Sequence, residues 1–205
     1  MFQCDRTAAR ALSRVFIAQS FPTRTVIAHQ GEASHRFWLV IEGSVRVEAF
    51  GVEGQRQQLA RHGPGEVFGA WPSATTHRAD YTANPGSVLL CADATHFSEL
   101  VATDVQVAGG MARLLARQLD RAMDRMVMRT TFTAAGRVYA ELLALADGKD
   151  RIAPPPQVTA LALSANTTRE TASRAIAALI RRGIVSRDDE AFVIHAPRML
   201  QEMVF

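Results

Sequence analysis

Between Gln157 and Val185 the chain reads QVTALALSANTTRETASRAIAALIRRGIV: one helix, a tight turn, and a second helix with polar side chains gathered at its start. Val158, Leu161 and Ala165 recur at helical spacing, and Ala162 is small where a second helix would cross closely. Asn166 falls at the turn, where the backbone needs a residue that tolerates positive φ; asparagine serves there after glycine. Thr167-Thr168-Arg169-Glu170 predicts a capping box, with a threonine hydroxyl accepting an orphan amide and Glu170 reaching back three residues. The second helix then starts near Thr168, with Ala172, Ala175, Ile176 and Leu179 as its inward stripe. Arg169, Glu170, Ser173 and Arg174 are left facing out. A guanidinium pairs bidentately with guanine O6 and N7 and a carboxylate accepts from cytosine N4, so this face matches the major-groove code. The plainer alternative is that Glu170 only caps and the arginines only make a solvated face.

With 205 residues, 48% of them hydrophobic and 21% charged, the chain can bury one large core or two modest ones, and its pattern fits two domains better. The net charge is only +3, and Lys149 is the sole lysine; this balance permits nucleic-acid binding without requiring it. Cys4 and Cys91 are far apart with no C-x-x-C, so neither a zinc site nor a four-thiolate cluster can be built, and reduced thiols are expected. His29, His35, His62, His77 and His96 show no ligand spacing, so no metal is expected, and His77 as a haem ligand is the less favoured reading. No apolar run reaches membrane-spanning length and the first residues lack a signal-peptide core, which predicts a cytoplasmic chain with no membrane partner. Catalytic arrangements such as a Ser-His-Asp order, paired carboxylates or a phosphate-cradling loop are missing from the pattern, and no enzyme is expected.

Toward the N-terminus, residues 5–19 put Ala8, Leu12, Val15 and Phe16 on one face of a short amphipathic helix. From Phe21 the period changes to short runs at 25–28, 37–41, 44–50, 58–61 and 87–92, punctuated by glycines, which predicts an antiparallel jelly-roll barrel. A short helix at 95–101 precedes a long one whose Ala108, Ala112, Leu115, Leu119, Ala122 and Met126 alternate three and four apart, a seam that either packs on the chain's own barrel or, as its length favours, pairs two helices in a parallel dimer. Arg113, Arg117, Arg121, Arg125 and Arg129 run along another face as a solvated flank beside Asp120 and Asp124. Thr130, Thr131 and Thr133 mark a hinge at 128–133, a supporting helix starts at Ala134, and Val185 to Ile194 form a hairpin wing with an acidic turn at 188–190. A short helix is expected over 199–205. The fold class is α+β.

Two regions carry a family resemblance. Thr168 to Arg174, TRETASR, with Leu179 and Arg182-Gly183-Ile184-Val185, resembles the recognition helix and exit of the cyclic-AMP receptor protein / fumarate-nitrate reduction regulator (CRP/FNR) family. Gln30-Gly31-Glu32, Phe37 to Val40 and Glu42 to Val47 resemble that family's cyclic-nucleotide-binding domain, in the family's order. The resemblance implies an effector domain over 1–103, a dimerisation helix and hinge over 104–133, and a winged helix-turn-helix DNA-binding domain over 134–205. It implies base contacts from Arg169, Glu170 and Arg174 and a backbone contact from Thr171; Ser173 and Thr168 are further DNA-binding candidates, and the acidic wing turn, which would repel phosphate, leaves Arg187 as a second backbone contact. Double-stranded DNA, a second copy of the chain and RNA polymerase are the implied partners.

The ligand pocket departs from the family pattern. Phe68 and Gly69 are in place, but Ala70 stands where a glutamate takes the ribose hydroxyl; Arg78 is kept, yet Ala79 replaces the hydroxyl residue after it. Ala122 and Met123 occupy the helix positions whose hydroxyls contact adenine. Each lost hydrogen bond costs about 1–3 kcal/mol, so three together could remove about four decades of affinity or more toward the upper end of that range. Weak or absent cyclic-AMP binding is therefore expected, with no cofactor and an anionic, nucleotide-like effector left open. Arg78 is either an anion anchor or a partner of Asp80 or Glu66. The remaining alternatives are a regulator gated by another cyclic nucleotide, a pocket filled by apolar side chains such as Met123, and a degenerate sensor acting through protein partners.

Overall fold

The structure, a computed structural model, describes residues 2–52, 54 and 56–204. Its contacts divide the chain into two units, Met1–Ala122 and Met123–Phe205. In the first, α1 (Arg6–Val15) leads into β1 (Ile17–Phe21), β2 (Thr25–Ala28), β3 (Ala33–Ser34), β4 (Arg36–Glu42), β5 (Val45–Phe50) and β6 (Arg56–His62). Next come β7 (Val67–Gly69), β8 (Thr75–Thr76), β9 (Asp80–Ala83), β10 (Ser87–Asp93), α2 (Ala94–Thr103) and the long α3 (Val105–Thr131), which runs on into the second unit. That unit continues with α4 (Ala134–Ala146), β11 (Arg151–Ile152), α5 (Val158–Ser164), α6 (Arg169–Arg181), β12 (Val185–Arg187), β13 (Phe192–Ile194) and α7 (Pro197–Glu202). No helix among the described residues is long and apolar enough to cross a membrane.

Two four-stranded antiparallel sheets, β1-β10-β4-β7 and β2-β9-β5-β6, form the barrel, with β3 and β8 paired beside them. Strand β4, RFWLVIE, is nearly continuous in apolar residues because both of its faces are covered. Trp38 and Val40 point between the sheets with Val45, Phe68 and Leu89. Phe37 and Leu39 point the other way and meet α1 through Leu12, α2 through Phe97 and α3 through Met111 and Leu114. Phe37 stacks on Phe97 at 4.3 Å between ring centroids, with Phe16 5.3 Å from Phe97.

The N-terminal helix is shorter than its periodicity predicts. Phe16 leaves it in extended conformation (φ −91°, ψ 138°), and residues 17–21 become β1 because β10 offers an unpaired edge. Asp5 caps α1 by accepting the amides of Thr7 and Ala8, each at 2.9 Å.

One face of α3 is spent on the barrel. Val107, Gly110, Met111 and Leu114 are buried there. Four residues on, the Gln118 amide meets the edge strand β7 at Val67, accepting its N–H at 2.9 Å and donating to its carbonyl at 2.8 Å. Gln118 thus satisfies backbone groups that a further strand would otherwise take. The arginine flank is not merely solvated, since Arg113 donates to the Phe2 carbonyl at 2.8 Å and Arg121 lies 3.5 Å from Glu66. The opposite face is uncovered: Leu119 is 63% and Met126 59% exposed, with Leu115 and Val127 also open. The helix continues through Thr130 and Thr131, whose hydroxyls bond back to Met126 and Val127 carbonyls, and ends only at Phe132, where Thr133 caps α4.

Gly69 closes β7 at φ +93°, and a Cβ there would stand 2.2 Å from the Arg36 carbonyl oxygen. Gly65 has φ +83° with nothing within 4 Å of such a Cβ. Gly69→Ala is expected to lose about 2–4 kcal/mol in urea unfolding, from backbone strain plus overpacking, against about 1 kcal/mol for Gly65→Ala.

Candidate nucleic-acid interface and effector pocket

The exposed face of α6 is built by its buried one. Ala172, Ala175, Ile176 and Leu179 are buried against Leu142 of α4 and Leu161 of α5, in a core shared with Phe192 and Ile194 of the wing. That packing leaves Arg169, Glu170, Ser173 and Arg174 exposed along the first turns, with Thr171 half-buried. Asn166 takes the left-handed conformation, φ 51°, and Thr167 donates to the Ala162 carbonyl at 2.9 Å as the chain turns.

The capping box is replaced by a simpler cap. Thr168 is the N-cap, its hydroxyl accepting the Thr171 amide at 3.1 Å and meeting the Thr171 hydroxyl at 2.9 Å. With the helix starting one residue later than the capping-box reading requires, Glu170 sits inside the first turn and cannot reach back. It pairs instead with Arg174, at 2.9 Å, one turn along the exposed face. Both groups are solvated, so the pair contributes little to stability and both side chains are available to a partner.

A residue that local patterns do not reveal holds this turn. Arg137 of α4 donates from Nε to the Ala165 carbonyl at 2.8 Å, from Nη2 to the Asn166 carbonyl at 3.1 Å and from Nη1 to the Phe132 carbonyl at 3.0 Å. Its planar fork therefore ties the C-terminal end of α5 to the end of α3. The sequence signal is an arginine on the mostly apolar helix AAGRVYAELLALA, whose other charged residue is Glu141. The three-stranded wing, β11-β13-β12, turns at an acidic tip where Asp188 accepts the Glu190 and Ala191 amides at 2.9 and 2.7 Å. Those bonds hold the Asp188 carboxyl below the usual range. Arg187 is exposed at the end of β12.

In the barrel, Phe68 of the segment expected to cradle a nucleotide lies in a stack of flat rings. Phe68 stacks on Tyr81 at 4.6 Å and 8°, with Trp38 at 6.0 Å and His62 at 5.9 Å from Phe68, both close to parallel. The Ala70 methyl is fully buried and its amide donates to the Arg36 carbonyl at 2.8 Å. Ala79 is 1% exposed. Met123 is 52% exposed and Ala122 is half-buried. Arg78 is exposed, and the carboxylates expected for it have other partners: Asp80 faces His29 at 3.5 Å and accepts the Gln30 amide at 2.7 Å, and Glu66 is held from other sides.

Those sides are His62 Nδ1 at 3.8 Å, the Gly63 amide at 2.7 Å and Arg121 at 3.5 Å. Burial pushes the Glu66 carboxyl up, but the His62 imidazole, the Gly63 amide and the Arg121 charge together outweigh it and leave it below the ordinary carboxylate range. Burial likewise lowers His77, against a smaller upward pull from Glu32, and raises Tyr81. Among the described residues no group of three or more His, Cys, Asp or Glu side chains could hold a metal ion.

A sensor-type barrel followed by a helix-turn-helix with a charged, solvent-facing second helix defines a DNA-binding regulator of the winged-helix class. Comparison with known proteins places it more narrowly. Residues 18–104 match the cyclic nucleotide-binding domain and residues 136–203 the Crp-like helix-turn-helix domain. The cyclic AMP receptor protein of Thermus thermophilus is 31% identical over 195 residues, covering 93% of this chain and 89% of that protein. A CRP-like cAMP-activated global transcriptional regulator of Mycobacterium tuberculosis is 24% identical, with the same coverage. The structure of FixK2 from Bradyrhizobium japonicum superposes with a TM-score of 0.76 at 26% identity, covering 92% of this chain and 97% of that one. The chain belongs to the CRP/FNR family of transcription regulators.

Two expected outcomes follow from these contacts. Arg137→Gln should lower stability by about 2–3 kcal/mol in urea unfolding and weaken DNA binding beyond what global unfolding explains, because the turn carbonyls lose their donors. Because the Glu66 pKa is depressed on folding, its contribution is complete above the ordinary value of about 4.3 and is lost as pH falls through the lower folded value. Glu66→Gln should therefore cost about 1–3 kcal/mol at pH 7 and flatten the acid limb of the stability profile below about pH 4.5.

Proposed function

We propose that this regulator reads a two-fold symmetric operator as a homodimer, with Arg169, Glu170 and Arg174 on base edges and Ser173, Thr168, Thr171 and Arg187 near the backbone, and that cyclic AMP does not gate it. The observation that carries the DNA reading is the solvated Arg169–Glu170–Arg174 face on a helix whose opposite stripe is fully packed. Dimerisation is supported by the uncovered stripe of α3, where Leu119 and Met126 lie open to solvent. Pairing two such stripes in parallel would set two α6 helices about one DNA turn apart.

Independence from cyclic AMP is supported by the rings of His62, Phe68 and Tyr81 lying over one another inside the barrel, and by the buried Ala70 methyl where a ribose-binding carboxylate would stand. The relatives whose names mention cyclic AMP carry that property for themselves.

Fluorescence anisotropy on a palindromic TGTGA-type duplex, against a scrambled duplex and a single half-site, tests the reading with and without cyclic AMP. Selective binding to the palindrome, unchanged by nucleotide, is expected. Arg169→Ala should then cost about 1–3 kcal/mol and relax preference at one base position. Selectivity that appears only on adding cyclic AMP would overturn the ligand independence, and equal affinity for all three duplexes would overturn the operator reading.

A further inference from the structure

A cavity of about 610 Å³ opens at the end of the first sheet, where α1 passes into β1, β4 begins and β10 runs into α2. Four side chains that can carry positive charge face it from separate stretches of chain: Arg14 at the end of α1, His35 and Arg36 at the start of β4, and His96 on α2. Against them stands one carboxylate on the cavity wall, Asp93. It is already engaged, accepting the amides of Thr95 at 2.9 Å and His96 at 3.2 Å as the cap of α2, with the His96 ring 3.8 Å away.

The guanidinium of Arg36 has a polarisable but neutral neighbour. Its Nη1 donates to Cys91 Sγ at 3.6 Å, and burial pushes that thiol's pKa up, outweighing the arginine, so the sulfur stays protonated. Among the described residues neither Arg14 nor Arg36 has a carboxylate within ion-pair distance, although both line the same space. The rest of the wall is apolar, with Val15, Ala92 and an Ile17 side chain that is 69% exposed. The volume falls in the range of small-molecule sites, which combine apolar lining with a few convergent polar groups.

We propose that this cavity binds a small organic anion, a carboxylate or phosphate monoester with a short apolar body. The planar forks of Arg14 and Arg36 would take the charged group and Val15, Ile17 and Ala92 the body. The site uses no residue of the stacked rings and none of α6. It gives the effector domain an anion site outside the region the rings fill, and it stands whether or not the DNA reading holds.

Calorimetric titration of the full chain with phenyl phosphate and with hexanoate tests it, with phenol as the neutral control. One equivalent of either anion should bind, and phenol should not. Arg14→Ala and Arg36→Ala should each weaken binding by about tenfold to a hundredfold, the loss of one charged hydrogen-bonding partner, while Arg169→Ala leaves it unchanged. In the unsubstituted protein, the imidazole proton resonances of His35 and His96 should move on titration while those of His77 and His195 stay. Absence of binding by both anions, unchanged affinity in Arg36→Ala, or movement of the His195 resonance alone would overturn the proposal.

Discussion

A single helix has to serve two apolar surfaces at once, and most of the molecule follows from how α3 divides them. Val107, Met111 and Leu114 close the outer face of the first sheet, and Gln118 pairs with the backbone of β7 in place of a neighbouring strand. The first turns of the helix therefore commit one side to the barrel. Leu115, Leu119 and Met126 lie on the side that remains, and burial of such side chains is worth about 1.5–3 kcal/mol each when a surface is found for them. The Phe132 carbonyl at the end of the same helix is held by Arg137, which also holds the turn before α6. Within the first unit α3 thus closes the barrel, and within the second its end shares Arg137 with the turn before α6.

The interior of the barrel shows a trade between packing and recognition. Nucleotide sites keep polar groups poised in a space that water or ligand must fill. Here Tyr81, His62 and Trp38 stack at 4.6–6.0 Å from the Phe68 ring, and dispersion between flat faces holds this part of the interior together. Glu66, beside the stack, is turned toward Gly63, His62 and Arg121 and serves to join the barrel to α3.

Much of the fold was legible because it rests on local period. The inward stripe of α6, the left-handed Asn166, the glycine-bounded strands and the hairpin wing are all written in short windows of sequence, and the structure has them. Elements decided by distant partners were not. Residues 17–21 continue a helical pattern and become a strand only because β10 pairs with them, and β11 is two residues long. Glu170 reads equally as a cap or as an ion-pair partner, and the one-residue position of the N-cap decides between them. Gln118, Arg121 and Arg137 act on groups roughly thirty to fifty residues away, which no periodicity encodes. The ring stack unites residues from four strands, so no single window of sequence shows it.

The wing tip has a bearing on how such a protein would travel along DNA. Asp188 is pinned by two backbone amides, and Asp189 and Glu190 are exposed beside it, so the tip presents fixed negative charge where many nucleic-acid binders present lysine or arginine. Non-specific residence on a duplex comes from counterions released by phosphate contacts, and a repelling flank removes some of them. Encounters at random sequence would then be brief and only mildly salt-dependent, and the time spent at a true site would be set by the helix in the groove.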